Sequence, residues 1–311
     1  MAGSLATLEG KTRTPLDHER QQEEHAGIRA RRRAGDIAAH TFLTVMAVIW
    51  VIPIVWVLLE SFNKNTAPYT STFFPTKYTF GNYVKLFTDR AVMNFPQMFL
   101  RTFIIAVFVC VIQVFFVLSV AFVMSRTRFP MRRPMMSVAL ILGMFPSILA
   151  TLVIYFIVKA MGLTTSSMGV MIGLIIVYSA GSGAGFFIMK GYMDTIPLSL
   201  DEAAMLDGAT RWQVFGKIIM PITRPMIVYQ AIIGFLVPWL DFVAVRIITI
   251  TTGQDTWTVP LGLWKMLQKE YIAQWYARFA AGAVLISIPI AILIIVMQRF
   301  YQESMSGSVK G

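Results

Sequence analysis

The apolar runs of this 311-residue chain constrain its fold more than any other feature. Several reach or exceed the roughly 20 residues that a helix needs to cross the hydrocarbon of a bilayer. Hydrophobic residues make up 56% of the chain, and its mean hydropathy is +0.65. In lipid only helices and closed barrels satisfy every backbone polar group, and continuous apolar runs exclude the alternating pattern of a barrel. The sequence therefore predicts an all-α, polytopic membrane protein.

The N-terminus differs in character from everything that follows it. Residues 1–36 are polar and mixed in charge, which is typical of a disordered cytosolic tail rather than a cleavable signal. Residues 37–311 are predicted to form one transmembrane domain, in which residues 191–224 form a cytoplasmic connection. The predicted spans lie near residues 38–60, 98–124, 135–158, 167–190, 225–249 and 279–301.

The distribution of Lys and Arg predicts the orientation of these six spans. Basic residues cluster in the tail and in two connections, and loops of this kind stay in the cytoplasm. Six spans then place both termini on the cytoplasmic side. The same rule explains the formal net charge of +11, so no nucleic-acid partner is expected. The clusters are Arg31–Arg33; Arg126, Arg128, Arg132 and Arg133; and Lys190, Arg211, Lys217 and Arg224.

Residues with metal-binding or catalytic chemistry are sparse. The single cysteine, Cys110, lies in an apolar run and offers neither a disulfide nor a metal site. The three histidines lie in or beside the tail, with no Cys or carboxylate at ligand spacing. The sequence has no Walker lysine loop, Gly-rich phosphate cradle or nucleophile elbow. We therefore predict a protein that is not an enzyme and that itself binds no metal or cofactor.

The connection at 191–224 carries signals for two short helices. Ser199 and Glu202 have the spacing of a capping box, and Gly208 suits the left-handed residue that ends a helix. These signals predict a helix over about 199–207, roughly 13 Å long. Thr210 repeats the box three residues before Gln213, and Pro221 is predicted to end the second helix. A helix this short is marginal alone, so it packs either on its own bundle or on another protein.

The same connection resembles a known signature. Glu202-Ala203-Ala204, Asp207-Gly208-Ala209, Phe215, Ile218, Pro221 and Pro225 match the EAA signature of ABC importer permeases. Further segments resemble the carbohydrate-uptake type, and in particular the smaller permease of maltose/maltodextrin importers. Arg101-Thr102 and Leu240 depart from the usual residues of that type, which leaves the identity of the sugar open. The further segments are Phe74-Pro75, Tyr78–Tyr83, Arg126–Pro130, Met144–Pro146, Trp239–Phe242 and Thr258–Leu263.

The resemblance implies a type I ABC importer permease in the bacterial cytoplasmic (inner) membrane. It implies a heterodimer with a second permease, two cytosolic ATPase subunits that hold ATP and magnesium, and an extracytoplasmic sugar-binding protein. An oligosaccharide would be the substrate, and the helix of the 191–224 connection would couple to an ATPase subunit. The residues that the resemblance assigns to this docking are Ser199, Glu202, Ala203, Ala204, Leu206, Asp207 and Gly208.

Polar and aromatic residues inside the spans are candidates for a substrate path, because intramembrane polar groups are costly. Gln113, Asp241 and Arg246 serve either a substrate or an interhelical hydrogen bond or salt bridge. Tyr155 and Trp239 either stack on sugar rings or anchor span ends at the interface. Similarly, the external segment 250–278 either contacts a sugar-binding protein or forms a membrane-surface helix near 261–272, with Leu263 and Met266 facing lipid.

The nature of the substrate stays open between two classes of sugar. A neutral oligosaccharide is the first expectation. An acidic, uronate-type oligosaccharide is the second, because Arg101, Lys159, Arg246 and Arg278 approach the external half and would give it a positive potential. An ion-coupled secondary sugar transporter is the alternative class of protein, although only Asp241 offers a buried carboxylate for coupling.

Overall fold

The computed structural model describes residues 15–65, 73–180 and 183–307, and this part of the chain is almost wholly helical. Its only β-type pairing is an isolated antiparallel bridge between Asn63 and Tyr78. The described residues therefore confirm the all-α class. The α-helices are α1 (Pro15–Ser61), α2 (Gly81–Thr88), α3 (Phe95–Arg126), α4 (Arg132–Gly143), α5 (Ser147–Ala160), α6 (Ser167–Ala180), α7 (Gly183–Asp194), α8 (Leu198–Leu206), α9 (Arg211–Val214), α10 (Met220–Ile222), α11 (Arg224–Leu240), α12 (Val243–Ile248), α13 (Val259–Met266) and α14 (Ile272–Gly307).

The first helix extends into the segment that the sequence predicts as a disordered tail. Helix α1 begins at Pro15, so residues 15–36 are helical in the structure. The Glu, Gln and Arg residues that make this segment polar are also strong helix formers. Residues 1–14 lie outside the described part. The contacts divide the chain into two units, Met1–Trp56, whose described part is helical, and Val57–Gly311, which contains all the other helices.

Among the residues that the structure describes, four helices are long and apolar enough to cross a membrane on their own: Gly35–Ser61, Phe95–Arg126, Ser167–Asp194 and Ile272–Gln298. Two further spans are possible if each of two bent pairs counts as one, which gives up to six by length and composition. One pair, Arg132–Gly143 with Ile148–Ala160, bends by 104°, and the other, Arg211–Ile222 with Arg224–Leu240, bends by 79°.

Two predicted spans are broken rather than continuous. The third, expected over 135–158, is interrupted where Pro146 precedes α5, because proline lacks a backbone N–H and disfavours a helical residue before it. The fifth, expected over 225–249, ends its first helix at Leu240 and resumes at Val243. Breaks of this kind survive at membrane depth only where other groups satisfy the freed backbone.

Helix α3 is the centre of the bundle in unit Val57–Gly311, where it packs against α6, α7 and α11. Gly234 allows α11 to approach it closely. A Cβ atom at this position would lie 3.2 Å from the Cα atom of Cys110 and 3.0 Å from the Oε1 atom of Gln113. Small residues at such crossings are typical of helices that associate within lipid.

The external segment 250–278 contributes to the core instead of lying on a membrane surface. Helix α13 occupies part of the predicted surface helix, but Leu263 and Met266 are buried in a cluster with Phe95 and Trp275. The expectation that both side chains face lipid is therefore wrong. Arg101 fixes the neighbouring loop, since its guanidinium donates to the Trp257 carbonyl at 2.7 Å.

Candidate functional site

The first helix of the connection after α7 is α8, which begins directly after Pro197. The predicted capping box from Ser199 to Glu202 is wrong, because no side chain caps this helix and Ser199 lies exposed within its first turn. Pro197 takes the capping position in an extended conformation, and its carbonyl accepts a hydrogen bond from the Leu200 N–H at 3.3 Å. Proline therefore sets the start of the helix in place of the hydroxyl at 199.

The end of α8 agrees with the sequence. Gly208 has a φ of +85°, in the left-handed region, as predicted for a residue that terminates a helix. Its N–H donates to the Met205 carbonyl at 3.1 Å, and the Ala209 N–H donates to the Ala204 carbonyl at 2.9 Å. These two bonds form a Schellman motif, which satisfies carbonyls that the helix leaves free and turns the chain sharply.

The second predicted capping box is confirmed. The Thr210 N–H donates to the side chain of Gln213 at 2.7 Å, and the Gln213 N–H donates to the Thr210 hydroxyl at 3.3 Å. A π-helical segment, Phe215–Ile219, follows α9. Pro221 does not end the helical path as predicted, since it lies in the first turn of α10, a position that tolerates proline, and the path continues to Ile222.

A buried ion pair attaches α8 to the end of α3. The Nε atom of Arg126 lies 3.0 Å from a carboxylate oxygen of Asp201, and both side chains are less than a tenth exposed. Arg126 also donates to the Ile196 carbonyl at 3.1 Å. Burial raises the pKa of the Asp201 carboxyl, and Glu202 adds to the shift, while Arg126 opposes it. The only signal for this pair in the sequence is indirect, namely the predicted placement of both residues on the cytoplasmic side.

The outer face of α8 is exposed and partly apolar. Glu202, Ala203 and Asp207 are exposed, whereas Ala204 packs against the core cluster around the ends of α3 and α7. Of the two alanines that the resemblance assigns to docking, Ala203 is therefore the more exposed. Leu206 is 89% exposed and Trp212 is 83% exposed. The exposed large apolar side chains of this connection are Leu198, Leu200, Met205, Leu206, Trp212 and Ile222.

Gln113 joins three helices through buried hydrogen bonds. Its amide nitrogen donates to the Tyr178 carbonyl at 2.7 Å, and its amide oxygen accepts from the amide nitrogen of Gln230 at 3.2 Å. Of the two interpretations left open by the sequence, the structure shows an interhelical hydrogen bond.

The two aromatic candidates are packed among other side chains. Trp239 is 1% exposed and contacts Phe99 and Phe235, with ring centroids 5.2 and 6.0 Å away. It therefore has no open ring face to offer to a sugar. Tyr155 is half-buried against the core, and its ring lies 5.8 Å from the ammonium of Lys159.

Asp241 lies just before α12, which follows the break in the fifth span, and Arg246 lies within α12. A carboxylate oxygen of Asp241 accepts from the N–H groups of Val243 at 2.8 Å and Ala244 at 3.2 Å, and it thereby caps α12. The guanidinium of Arg246 lies 4.1 Å from the centroid of the Trp264 ring. Within the described residues the two groups form no ion pair with each other, which was one of the possibilities that the sequence left open.

A bundle of apolar spans with an exposed, anchored cytosolic helix has the organisation of the membrane-spanning subunit of a transporter. Residues 114–306 match the model of the family described as binding-protein-dependent transport system inner membrane component, and the chain belongs to this family. It is therefore an integral component of the bacterial inner membrane, and as predicted it is a transport subunit and not an enzyme.

Relatives cover nearly the whole chain. It is 32% identical to the galactooligosaccharides transport system permease protein GanQ of Bacillus subtilis (strain 168), over 92% of this chain and 99% of that protein. It is 27% identical to the maltodextrin transport system permease protein MdxG of the same organism, over 90% of this chain and 98% of that protein.

The fold is that of a solved transporter. A chain in the crystal structure of a bacterial ABC transporter involved in the import of the acidic polysaccharide alginate superposes with a TM-score of 0.70. The match covers 86% of this chain and 97% of that chain at 19% identity, and it therefore shows a shared fold only. This likeness confirms the predicted ABC importer permease architecture.

Proposed function

We propose that the chain is one of two permease subunits that move an oligosaccharide into the cytoplasm by alternating access. Two cytosolic ATPase subunits would hold ATP and magnesium, and an extracytoplasmic sugar-binding protein would deliver the substrate. The membership of the chain in a binding-protein-dependent transport family supports the assembly. The names of the relatives, which refer to galactooligosaccharides and maltodextrin, favour a neutral oligosaccharide.

The observation that carries the proposal is the exposed helix α8 and its attachment to α3. Pro197 sets its start, the left-handed turn at Gly208 ends it, and the Asp201–Arg126 pair joins it to α3. An ATPase subunit that receives Leu206 and Ala203 in a cleft would move α8 as one body. Because α3 packs against α6, α7 and α11, that displacement would reach most of the bundle.

The exposed surface of α8 has the composition of a docking element. Large exposed apolar side chains beside acidic groups suit a partner pocket with an apolar centre and a basic rim. Glu202 would pair with a cation at that rim, while Leu206 would fill the centre. Ser199 and Asp207 are exposed at the two ends of the helix and would lie at the edge of the contact.

The position of Asp241 does not favour ion-coupled transport. The carboxylate of Asp241, the one candidate for coupling, is engaged in capping α12 through two backbone N–H groups. An ATP-driven importer requires no such carboxylate, because ATP hydrolysis on the ATPase subunits supplies the driving force. Uptake into proteoliposomes should therefore require ATP and should be indifferent to an imposed proton or sodium gradient.

The docking is tested by crosslinking in native membranes. Single cysteines at Ala203 and Leu206 are expected to form crosslinks with an ATPase subunit, and a cysteine at Ile250, which is 72% exposed on the predicted external side, is the matched control. Cys110 is the one native cysteine and serves as the background when no other is present. Capture of the ATPase by the control alone, or by none of the three, would overturn the assignment of α8.

A further inference from the structure

A cavity lies between the end of α12, the loop that follows it and α13, on the predicted external half of the protein. Its volume is about 230 Å³. Pockets that enclose a whole drug-sized ligand usually measure roughly 300–1,000 Å³, so this cavity has room for one sugar unit or its substituents and not for an oligosaccharide. Its walls include Arg246, Thr249, Thr252, Trp257, Trp264 and Lys265.

The guanidinium of Arg246 is held in position while its donors remain unused. It lies over the ring of Trp264, and Phe242 stacks on the same indole with an interplanar angle of 15°. A guanidinium held over a ring is attracted through its face, so the N–H groups at its edge stay available. Across the described residues, no hydrogen bond or ion pair occupies them.

The other external cations behave differently. The guanidinium of Arg101 donates hydrogen bonds to the Trp257 carbonyl and to the Ser167 hydroxyl, at 2.7 and 3.0 Å. Arg278 is buried and pairs with Asp89 at 2.7 Å. Of the four basic residues that the sequence singled out on this half, two are thus engaged inside the protein. Arg246 is exposed and faces a cavity.

Lys265 gives the same cavity a second positive charge. Its ammonium lies 5.1 Å from the ring centroid of Tyr271 and 3.8 Å from a carboxylate oxygen of the exposed Glu270. At that distance and exposure the pair contributes little, so the ammonium stays free to turn toward a ligand. Arg246 and Lys265 thus present a rigid fork and a movable point charge to one small volume.

We propose that this cavity binds one unit of the transported oligosaccharide. Arg246 would donate two parallel hydrogen bonds to a pair of adjacent oxygen atoms on the ring. Two neighbouring hydroxyls of a neutral sugar and the carboxylate of a uronate both present such a pair, and Lys265 adds attraction for the carboxylate alone. The inference rests on the proposed function and deepens it, because it assigns a substrate contact to this subunit.

The test uses the full permease–ATPase complex in nanodiscs, without the sugar-binding protein. Saturation-transfer NMR titrations measure the binding of three probes, namely galactotetraose, maltotetraose and tetragalacturonate. Arg246→Gln is expected to weaken binding of the recognised probe about tenfold, the effect of losing hydrogen bonds from a charged donor. Lys269→Gln removes an exposed charge outside the cavity walls and is expected to leave binding unchanged.

Two further variants identify the oxygen pair. Arg246→Lys keeps the positive charge but loses the two parallel N–H donors of the guanidinium. It should therefore retain much of the affinity for tetragalacturonate and little of the affinity for a neutral probe. Lys265→Gln should weaken the binding of tetragalacturonate and leave the binding of the two neutral probes unchanged. If Arg246→Gln and Lys265→Gln bind every probe as the unmodified complex does, or if the unmodified complex binds no probe, the subsite is refuted.

A separate measurement keeps this failure apart from that of the proposed function. ATP-driven uptake by the unmodified complex, with its sugar-binding protein present, reports on import alone. Uptake that proceeds normally in the Arg246→Gln variant would count against the subsite and leave the importer assignment intact. Absence of ATP-driven sugar uptake by the unmodified complex would instead refute the importer assignment.

Discussion

Removal of Arg126 should loosen the attachment of α8 more than neutralisation of Asp201 does. In Arg126→Met the carboxylate of Asp201 remains buried without a counter-charge and beside Glu202. Breaking a buried pair in this way costs roughly 3–5 kcal/mol. We expect the lower value, about 3 kcal/mol, because Asp201 is able to take up a proton instead of staying charged.

The assay is amide hydrogen exchange over α8 in the assembled complex. About 3 kcal/mol corresponds to roughly a hundredfold faster exchange, since each 1.4 kcal/mol is a factor of ten. Asp201→Asn should have a smaller effect, about 1 kcal/mol, because the raised pKa of this carboxyl shows that burial already disfavours its charged form. The double variant Arg126→Met with Asp201→Leu should restore protection, as apolar replacements of buried pairs often do.

The same reasoning fixes the sign of the pH dependence. A carboxyl whose pKa is raised in the folded state binds its proton more tightly there than in the unfolded chain. Its contribution to stability is therefore full below its ordinary pKa of 3.8 and is lost as the pH rises through the raised value. Arg126 itself lowers this pKa, so its removal should raise the pKa of Asp201 further and widen the pH range over which the protonated carboxyl stabilises the fold. Arg126→Met should therefore regain protection from amide exchange on acidification.

The result that would refute this reasoning is an inverted order of effects. If Asp201→Asn accelerated exchange in α8 as much as Arg126→Met, the charge of Asp201 would stabilise the junction and burial would not dominate it. Lys217→Gln is the control, because this ammonium is exposed in the same connection, is not assigned to the docking contact and should leave exchange in α8 unchanged.

Three other substitutions test separate parts of the structure. Gly208→Ala places a side chain at a φ of +85°, which costs roughly 1–2 kcal/mol and should lower uptake, whereas an unchanged uptake rate would contradict a required left-handed turn. Glu202→Lys should reduce co-purification of the ATPase subunits without changing the thermal stability of the permease pair, and full co-purification would count against docking through this face. Gly234→Leu, whose side chain would meet Cys110 and Gln113, should prevent accumulation of the folded protein, and normal yield in the membrane would show that α3 and α11 do not pack as described.

The features predicted well from sequence are those that depend on local chemistry. Apolar runs near residues 98–124 and 279–301 indicated spans, and α3 and α14 lie there. Gly208 and Thr210 were identified correctly because a left-handed turn and a capping box each involve residues a few positions apart. The capping box predicted at Ser199 was wrong because Pro197, two residues earlier, fixes the start of the helix more strongly than a hydroxyl does.

The features missed depend either on contacts between distant parts of the chain or on breaks within apolar segments. Arg126 and Asp201 are separated by 75 positions, and no local pattern indicates that they meet. The carboxylate of Asp241 was interpreted as a possible substrate or ion ligand, although it caps a helix that begins two residues later. A break such as the one before Val243 cannot be read from hydropathy, because the residues on both sides are equally apolar.

The 79° bend at Thr223 joins two helical arms at nearly a right angle, in the manner of an L-shaped lever. At 1.5 Å per residue, the 12 residues of Arg211–Ile222 form an arm of about 18 Å, and the 17 residues of Arg224–Leu240 form one of about 25 Å. A sideways shift of about 1 Å at the tip of the short arm turns both through about 3°, which displaces the far tip by about 1.4 Å. If the two arms turn together as one body, a displacement at Arg211 would thus be larger at Leu240.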